Sequence, residues 1–115
     1  MDFKVNSREI SGVTVLDLDG RITFGEASTS LRDAICEKLN NGKSKILIDL
    51  AGTIYMDSSG LGELVRGYKA VKGQGGELKL LNLSTKVTEL LKTTRLYTIF
   101  DIHADESQAV ASFAA

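Results

Sequence analysis

In the run Met56-Asp57-Ser58-Ser59-Gly60-Leu61-Gly62, two adjacent hydroxyls follow an acid and precede a pair of glycines. A serine exposed in such a setting is open to phosphorylation, which puts about −1.5 to −2 charges where a small neutral group stood. Nucleophilic catalysis by the same hydroxyl would need a base within hydrogen-bond reach and usually a third, orienting group. The sequence has one histidine, His103, in the late polar stretch His103-Ala104-Asp105-Glu106, which reads as an exposed loop. The serines therefore do not read as a catalytic centre; at a strand-to-helix turn they can cap the helix or stand open to modification. Neither Gly-x-x-x-x-Gly-Lys-Ser/Thr nor Gly-x-Gly-x-x-Gly occurs, and Gly60-Leu61-Gly62 is too short to stand for either, so no cofactor is expected. The single cysteine, Cys36, falls in a helix pattern and reads as a small packing residue, with no redox or metal role.

The elements that position the serines are legible on both sides. Upstream, Ile46-Leu47-Ile48-Asp49-Leu50 is a nearly continuous apolar run, the pattern of a strand covered on both faces. Downstream, Leu61, Leu64, Val65, Tyr68 and Val71 recur every three or four residues and form one helical stripe. The helix thus begins near Asp57 or Ser58. Either side chain can cap its unpaired first N–H groups, and negative charge there meets the positive end of the helix dipole. Gly60 and Gly62 leave the first turn uncluttered, and Ser59 reads as pointing into that turn to cap or pack.

Around this junction, Phe3 to Ile10 and Val13 to Leu18 alternate about a Ser11-Gly12 turn and predict an antiparallel hairpin, with Gly20 ending the second strand. A helix from about Glu26 to Asn40 carries Ala27, Leu31, Ala34, Ile35 and Leu39 and stops at Asn41-Gly42. After a strand at Lys45 to Leu50 comes the helix beginning at the serines, which ends by Gly73-Gln74-Gly75-Gly76. A strand at Glu77 to Leu83 precedes a short helix capped by Ser84 and bearing Val87, Leu90 and Leu91. A weak strand near Thr98 to Ile102 and a helix from Asp105 complete the chain. The last helix opens on a capping-box pair, Asp105 and Gln108, and lines up Ala109, Val110 and Phe113. Strands and helices alternate after the hairpin. That order predicts an α/β fold with a mostly parallel sheet of four to five strands, an antiparallel first strand and about four helices, mainly on one face. Gly67, inside a helix, predicts a close approach by the sheet or by a partner.

At 115 residues, without a linker-like stretch, the chain reads as one domain, 1–115. Its 43% hydrophobic and 25% charged content is that of a soluble globular protein. No run approaches the ~20 apolar residues of a membrane span, and Met1-Asp2-Phe3-Lys4 leads into strand alternation rather than a signal peptide. With 14 basic and 15 acidic residues interspersed, no field favours direct nucleic-acid or anionic-lipid binding. The lone cysteine fits a reducing, cytoplasmic setting.

The run Tyr55 to Gly62, with Tyr68 and then Gly75-Gly76-Glu77-Leu78, resembles the bacterial anti-sigma factor antagonists of the STAS domain family. The resemblance covers nearly the whole chain and implies the STAS fold. It also implies partner switching. The unphosphorylated antagonist binds an anti-sigma factor that is itself a serine kinase, which frees a sigma factor; phosphorylation ends that binding until a phosphatase reverses it. By position the modified residue is Ser58, with Ser59 the alternative, and the contact surface comprises Asp57, Ser58, Ser59, Gly60, Leu61, Gly62, Thr23 and Phe24. In one place the chain departs from the family pattern: an acid often follows the second strand, whereas this sequence reads Gly20-Arg21-Ile22-Thr23. A scaffold or transporter-associated STAS subunit without a phosphorylation cycle is the alternative reading.

Overall fold

In the computed structural model, which describes residues 3–113, β1 (Lys4–Ile10) turns at Ser11-Gly12 and returns antiparallel as β2 (Val13–Ile22). Both turn residues have positive φ, 50° and 84°, the conformation of two-residue turns that match strand twist. Met1, Asp2, Ala114 and Ala115, which belong to the expected 1–115 domain, lie outside the described residues. Next come α1 (Glu26–Asn40), β3 (Lys45–Asp49), β4 (Thr53–Met56) and α2 (Ser58–Gly73). The chain closes with β5 (Glu77–Leu81), α3 (Thr85–Thr93), β6 (Ile102–His103) and α4 (Glu106–Ala111).

The sheet runs β1-β2-β3-β5-β6, and every pairing except β1 with β2 is parallel. Alternation along the strands divides two cores. Leu16, Leu18, Ile46, Ile48, Leu78 and Leu80 face Leu31 and Ile35 of α1, Leu61, Leu64 and Val71 of α2, and Val87 and Leu91 of α3. Val13, Val15, Leu47 and Leu81 face the opposite way, onto Ala109 and Phe113 at α4. Three helices therefore cover one face and the short α4 covers the other.

Several expectations are corrected. Gly20 does not end the second strand: the register shifts between Gly20 and Arg21, and β2 continues to Ile22 to pair with β4. A glycine inside a strand pattern marks a bulge here, not a stop. The short β4 was hidden in the sequence between the buried run and the serines. The expected strand near Thr98 to Ile102 pairs only at Ile102–His103. Gly67 is approached by α1 and not by the sheet: a Cβ there would lie 2.7 Å from Cδ1 of Ile35. Cys36 is exposed rather than packed. Asp105 caps α4 by accepting from the Gln108 N–H at 2.9 Å, and Ser84 caps α3 through Val87 N–H at 3.2 Å.

Candidate functional site: the head of helix α2

Asp57 is the cap of α2. Its Oδ1 accepts from the N–H groups of Ser59 at 2.9 Å and Gly60 at 3.1 Å, and its Oδ2 accepts from Phe24 N–H at 3.0 Å. One carboxylate thus joins the helix start to the loop after β2. The backbone adds a second tie, from Asp57 N–H to Ile22 O at 3.2 Å. Gly60 makes this approach possible, since a Cβ there would fall 2.6 Å from Ile22 O and 2.7 Å from Ile22 Cγ2.

With Asp57 serving the first turn, the serines are left for other work. Ser58 is exposed, Ser59 is half-buried, and among the described residues no side-chain hydrogen bond engages either hydroxyl. Ser59 is therefore not the cap. Both line a depression of about 430 Å³ between α1 and α2, with Phe24, Gly25, Ser28, Thr29, Arg32, Gly62, Glu63 and Arg66. Phe24, 84% exposed, stands at its rim. Gly60 and Leu61 lie beneath the surface and shape it without lining it. Thr23 is half-buried and its carbonyl accepts from Ser28 N–H at 3.2 Å, which steadies the start of α1.

The sequence reading had no signal for three charged groups here. Glu63 is only 7% exposed, and its Oε2 accepts from Arg66 Nη1 at 2.9 Å and faces Arg32 Nη1 at 3.9 Å. Its Oε1 has no hydrogen-bond partner among the described residues. Glu63 and Arg66 have the i,i+3 spacing of a helical ion pair, but their meeting with Arg32 depends on how α1 packs on α2.

Elsewhere, His103 is corrected from an exposed loop residue to a member of β6, with Asp101 Oδ2 3.1 Å and Ser112 Oγ 3.4 Å from its Nε2. Both neighbours address the same ring nitrogen, so these three described residues do not form an acid–base relay through the ring to Ser112. Arg8 bonds Asp17 at 2.7 Å and Glu106 at 2.7 Å, tying α4 to the hairpin. The Arg8 hydrogen bonds hold both carboxyls below their ordinary range, while burial pushes neighbouring Asp49 up.

A family model described as the STAS domain matches residues 4–109. The chain belongs to the STAS domain family. The anti-sigma-B factor antagonist of Bacillus subtilis is 36% identical over 110 residues, covering 96% of this chain and 95% of that one. An anti-sigma factor antagonist from Mycobacterium paratuberculosis has the same STAS fold, with a TM-score of 0.86 at 18% identity, over 98% of this chain and 95% of the other. The Bacillus cell fate determinant SpoIIAA in its phosphorylated form superposes with a TM-score of 0.73 at 22% identity, over 96% and 97% of the two chains. Relatives of this kind are regulatory binding proteins, and this STAS domain is not an enzyme. No helix among the described residues is long and apolar enough to cross a membrane.

Proposed function

We propose that this STAS domain is an anti-sigma factor antagonist switched at Ser58. In its unphosphorylated form it binds a cytoplasmic anti-sigma factor that is also a serine kinase, and so frees a sigma factor. In the kinase, Ser58 Oγ attacks the γ-phosphorus of ATP, the bond to ADP breaks and the hydroxyl proton passes to a kinase base. A phosphatase then uses water to return the serine and inorganic phosphate. The observation that carries the reading is the exposed Ser58 at the head of α2, with the first-turn N–H groups already occupied by Asp57.

The physics favours an effect on the partner over one on the fold. The helix dipole attracts the new charge by about 0.3–1 kcal/mol, and Asp57 opposes part of that. A charge that an interface desolvates with no countercharge from the partner costs on the order of 2–5 kcal/mol, roughly 30-fold to several thousand-fold in affinity. Asp57, Phe24, Ser59, Gly62 and Thr23, over buried Gly60 and Leu61, form the surface to which the partner is assigned. A Ser58→Asp variant is expected to keep its melting temperature and circular dichroism spectrum, yet lose at least about tenfold in affinity for an anti-sigma kinase of the same genome. Unimpaired binding would sink the proposal. Mass measurement after incubation with that kinase and ATP checks that one phosphate is added, and fragmentation of the phosphopeptide between the two serines decides between Ser58 and Ser59.

A further inference from the structure

We propose that Arg66 is the internal phosphate-binding residue of this site: when Ser58 carries a phosphate, Arg66 swings across Gly62 to pair with it and closes the depression between α1 and α2. This rests on the reading of Ser58 as the modified residue.

Ser58, Gly62 and Arg66 follow one another at four-residue intervals in α2, so they lie along one side of the helix. Their outer members are separated by roughly 12 Å of helix rise, and side chains lean toward the helix N-terminus, which aims Arg66 at Ser58. The residue between them has no side chain. The position of a Cβ on Gly62 is open, with nothing within 4 Å, and all three residues line the same depression. A lane therefore runs from the guanidinium to the hydroxyl, and any larger residue at position 62 would obstruct it.

Arg66 is free to take that lane. Its side chain is 71% exposed, and Nη1 to Glu63 is its one hydrogen bond among the described residues. A phosphate offers three strong acceptor oxygens in a geometry that the guanidinium fork meets with two parallel bonds, whereas Glu63 now uses one. Glu63 is buried with an orphan oxygen, so it must keep a cation in the depression. Arg32, 50% exposed and with Nη1 3.9 Å from the same Oε2, is placed to take over when Arg66 leaves. The charged groups around the phosphate are then Arg66 and Arg32, which attract it, and Asp57 and Glu63, which oppose it. In the phosphorylated state the partner meets not a bare phosphate on an open hollow but a filled one, with Arg66 laid across the glycine.

The test uses the full chain with phosphoserine installed at position 58 during translation, and follows the phosphorus resonance through a pH titration. The second phosphate pKa is expected to lie at least about 0.5 lower than in the same protein carrying Arg66→Gln, about threefold in proton affinity. Gly62→Leu, which blocks the lane while Arg66 remains, is expected to match Arg66→Gln. Lys69→Gln removes an equal charge from the exposed side of α2 and is expected to change nothing. Coincident titrations of the parent and Arg66→Gln proteins overturn the proposal, as does a Lys69→Gln effect of equal size, which would mark a general charge effect. Should Gly62→Leu fail to fold by circular dichroism, the comparison of Arg66→Gln with Lys69→Gln decides alone. No partner is present, so failure here leaves the switching proposal standing, and failure of the Ser58→Asp experiment leaves this one readable.

Discussion

Replacing Asp57 by alanine removes three hydrogen bonds made by one carboxylate: two to the first turn of α2 and one to the Phe24 amide. Loss of an N-cap costs about 0.5–2 kcal/mol, the charge–dipole attraction adds about 0.3–1, and the Phe24 bond about 0.5–1.5. These overlap, because the dipole and the cap describe the same N–H groups, and a total near 2.5 kcal/mol is expected. Unfolding entropy of about 2.1 cal/mol/K per residue amounts to about 0.24 kcal/mol per kelvin over 115 residues. Asp57→Ala should then melt about 10 °C below the parent, measured by calorimetry or circular dichroism. Asp57→Ser separates the contributions. Serine can cap the helix but is too short to hold Phe24 as well, so about half the loss should return while the Phe24 amide exchanges faster with solvent. A fall of less than about 3 °C for alanine would refute the reasoning, and so would a serine variant as unstable as alanine, because either result means that the carboxylate does not join loop to helix.

Gly67→Ala should gain about 1 kcal/mol in helix propensity but force the buried Cδ1 of Ile35 aside from 2.7 Å, for a net loss near 1 kcal/mol in denaturant melts. Adding Ile35→Val, which removes that methyl, should recover most of the loss; a strictly additive double mutant would show that the two do not touch. The carboxyls of Asp17 and Glu106 are held low by Arg8, so the stability they lend is complete above their ordinary values of 3.8 and 4.5 and is lost as pH falls through their lower folded values. Burial raises Asp49, which works the other way: its protonation on acidification relieves a cost. Arg8→Gln should therefore flatten the acid limb of a stability-against-pH curve, and an unchanged limb would contradict the assignment. Cys36, being exposed, should react fully with a thiol reagent in the folded protein with no change in melting temperature; protection until unfolding would restore the packed reading.

What was legible followed periodicity. Leu61, Leu64 and Val71 of α2, and Ala27, Leu31 and Ile35 of α1, are buried as their spacing predicts, because a stripe on a helix reports one local fact, the side that faces inward. The hairpin was legible for a similar reason, since Ser11-Gly12 fixes a two-residue turn by itself. Elements whose existence depends on a distant neighbour were not. Thr53–Met56 becomes a strand only because β2 bulges at Gly20 and extends to meet it, and Ile102–His103 is too short to leave a pattern. The same divide runs through the site. Asp57, Ser58 and Ser59 are contiguous and could be found as a motif, with Asp57 as one of two candidate caps. Glu63 and Arg66 lie on the predicted helix, but their relevance arises from Arg32, 31 positions before Glu63, which only the packing of α1 on α2 brings near. Cys36 was misread because a helix pattern permits a small residue on either side, and its position places it outward.

The carbonyl of Ile22 has a consequence in time. It receives the Asp57 N–H, and Gly60 is seated against it, so the head of α2 is referenced directly to the end of a ten-residue central strand. Such an anchored backbone has no slow rearrangement to complete before a partner can read it. Side-chain rotation at an exposed position takes picoseconds to nanoseconds, far below the lifetime of a protein complex. A signal written at Ser58 would thus carry no delay of its own and no memory beyond the covalent mark. Its onset and duration would belong wholly to the enzymes that write and erase it.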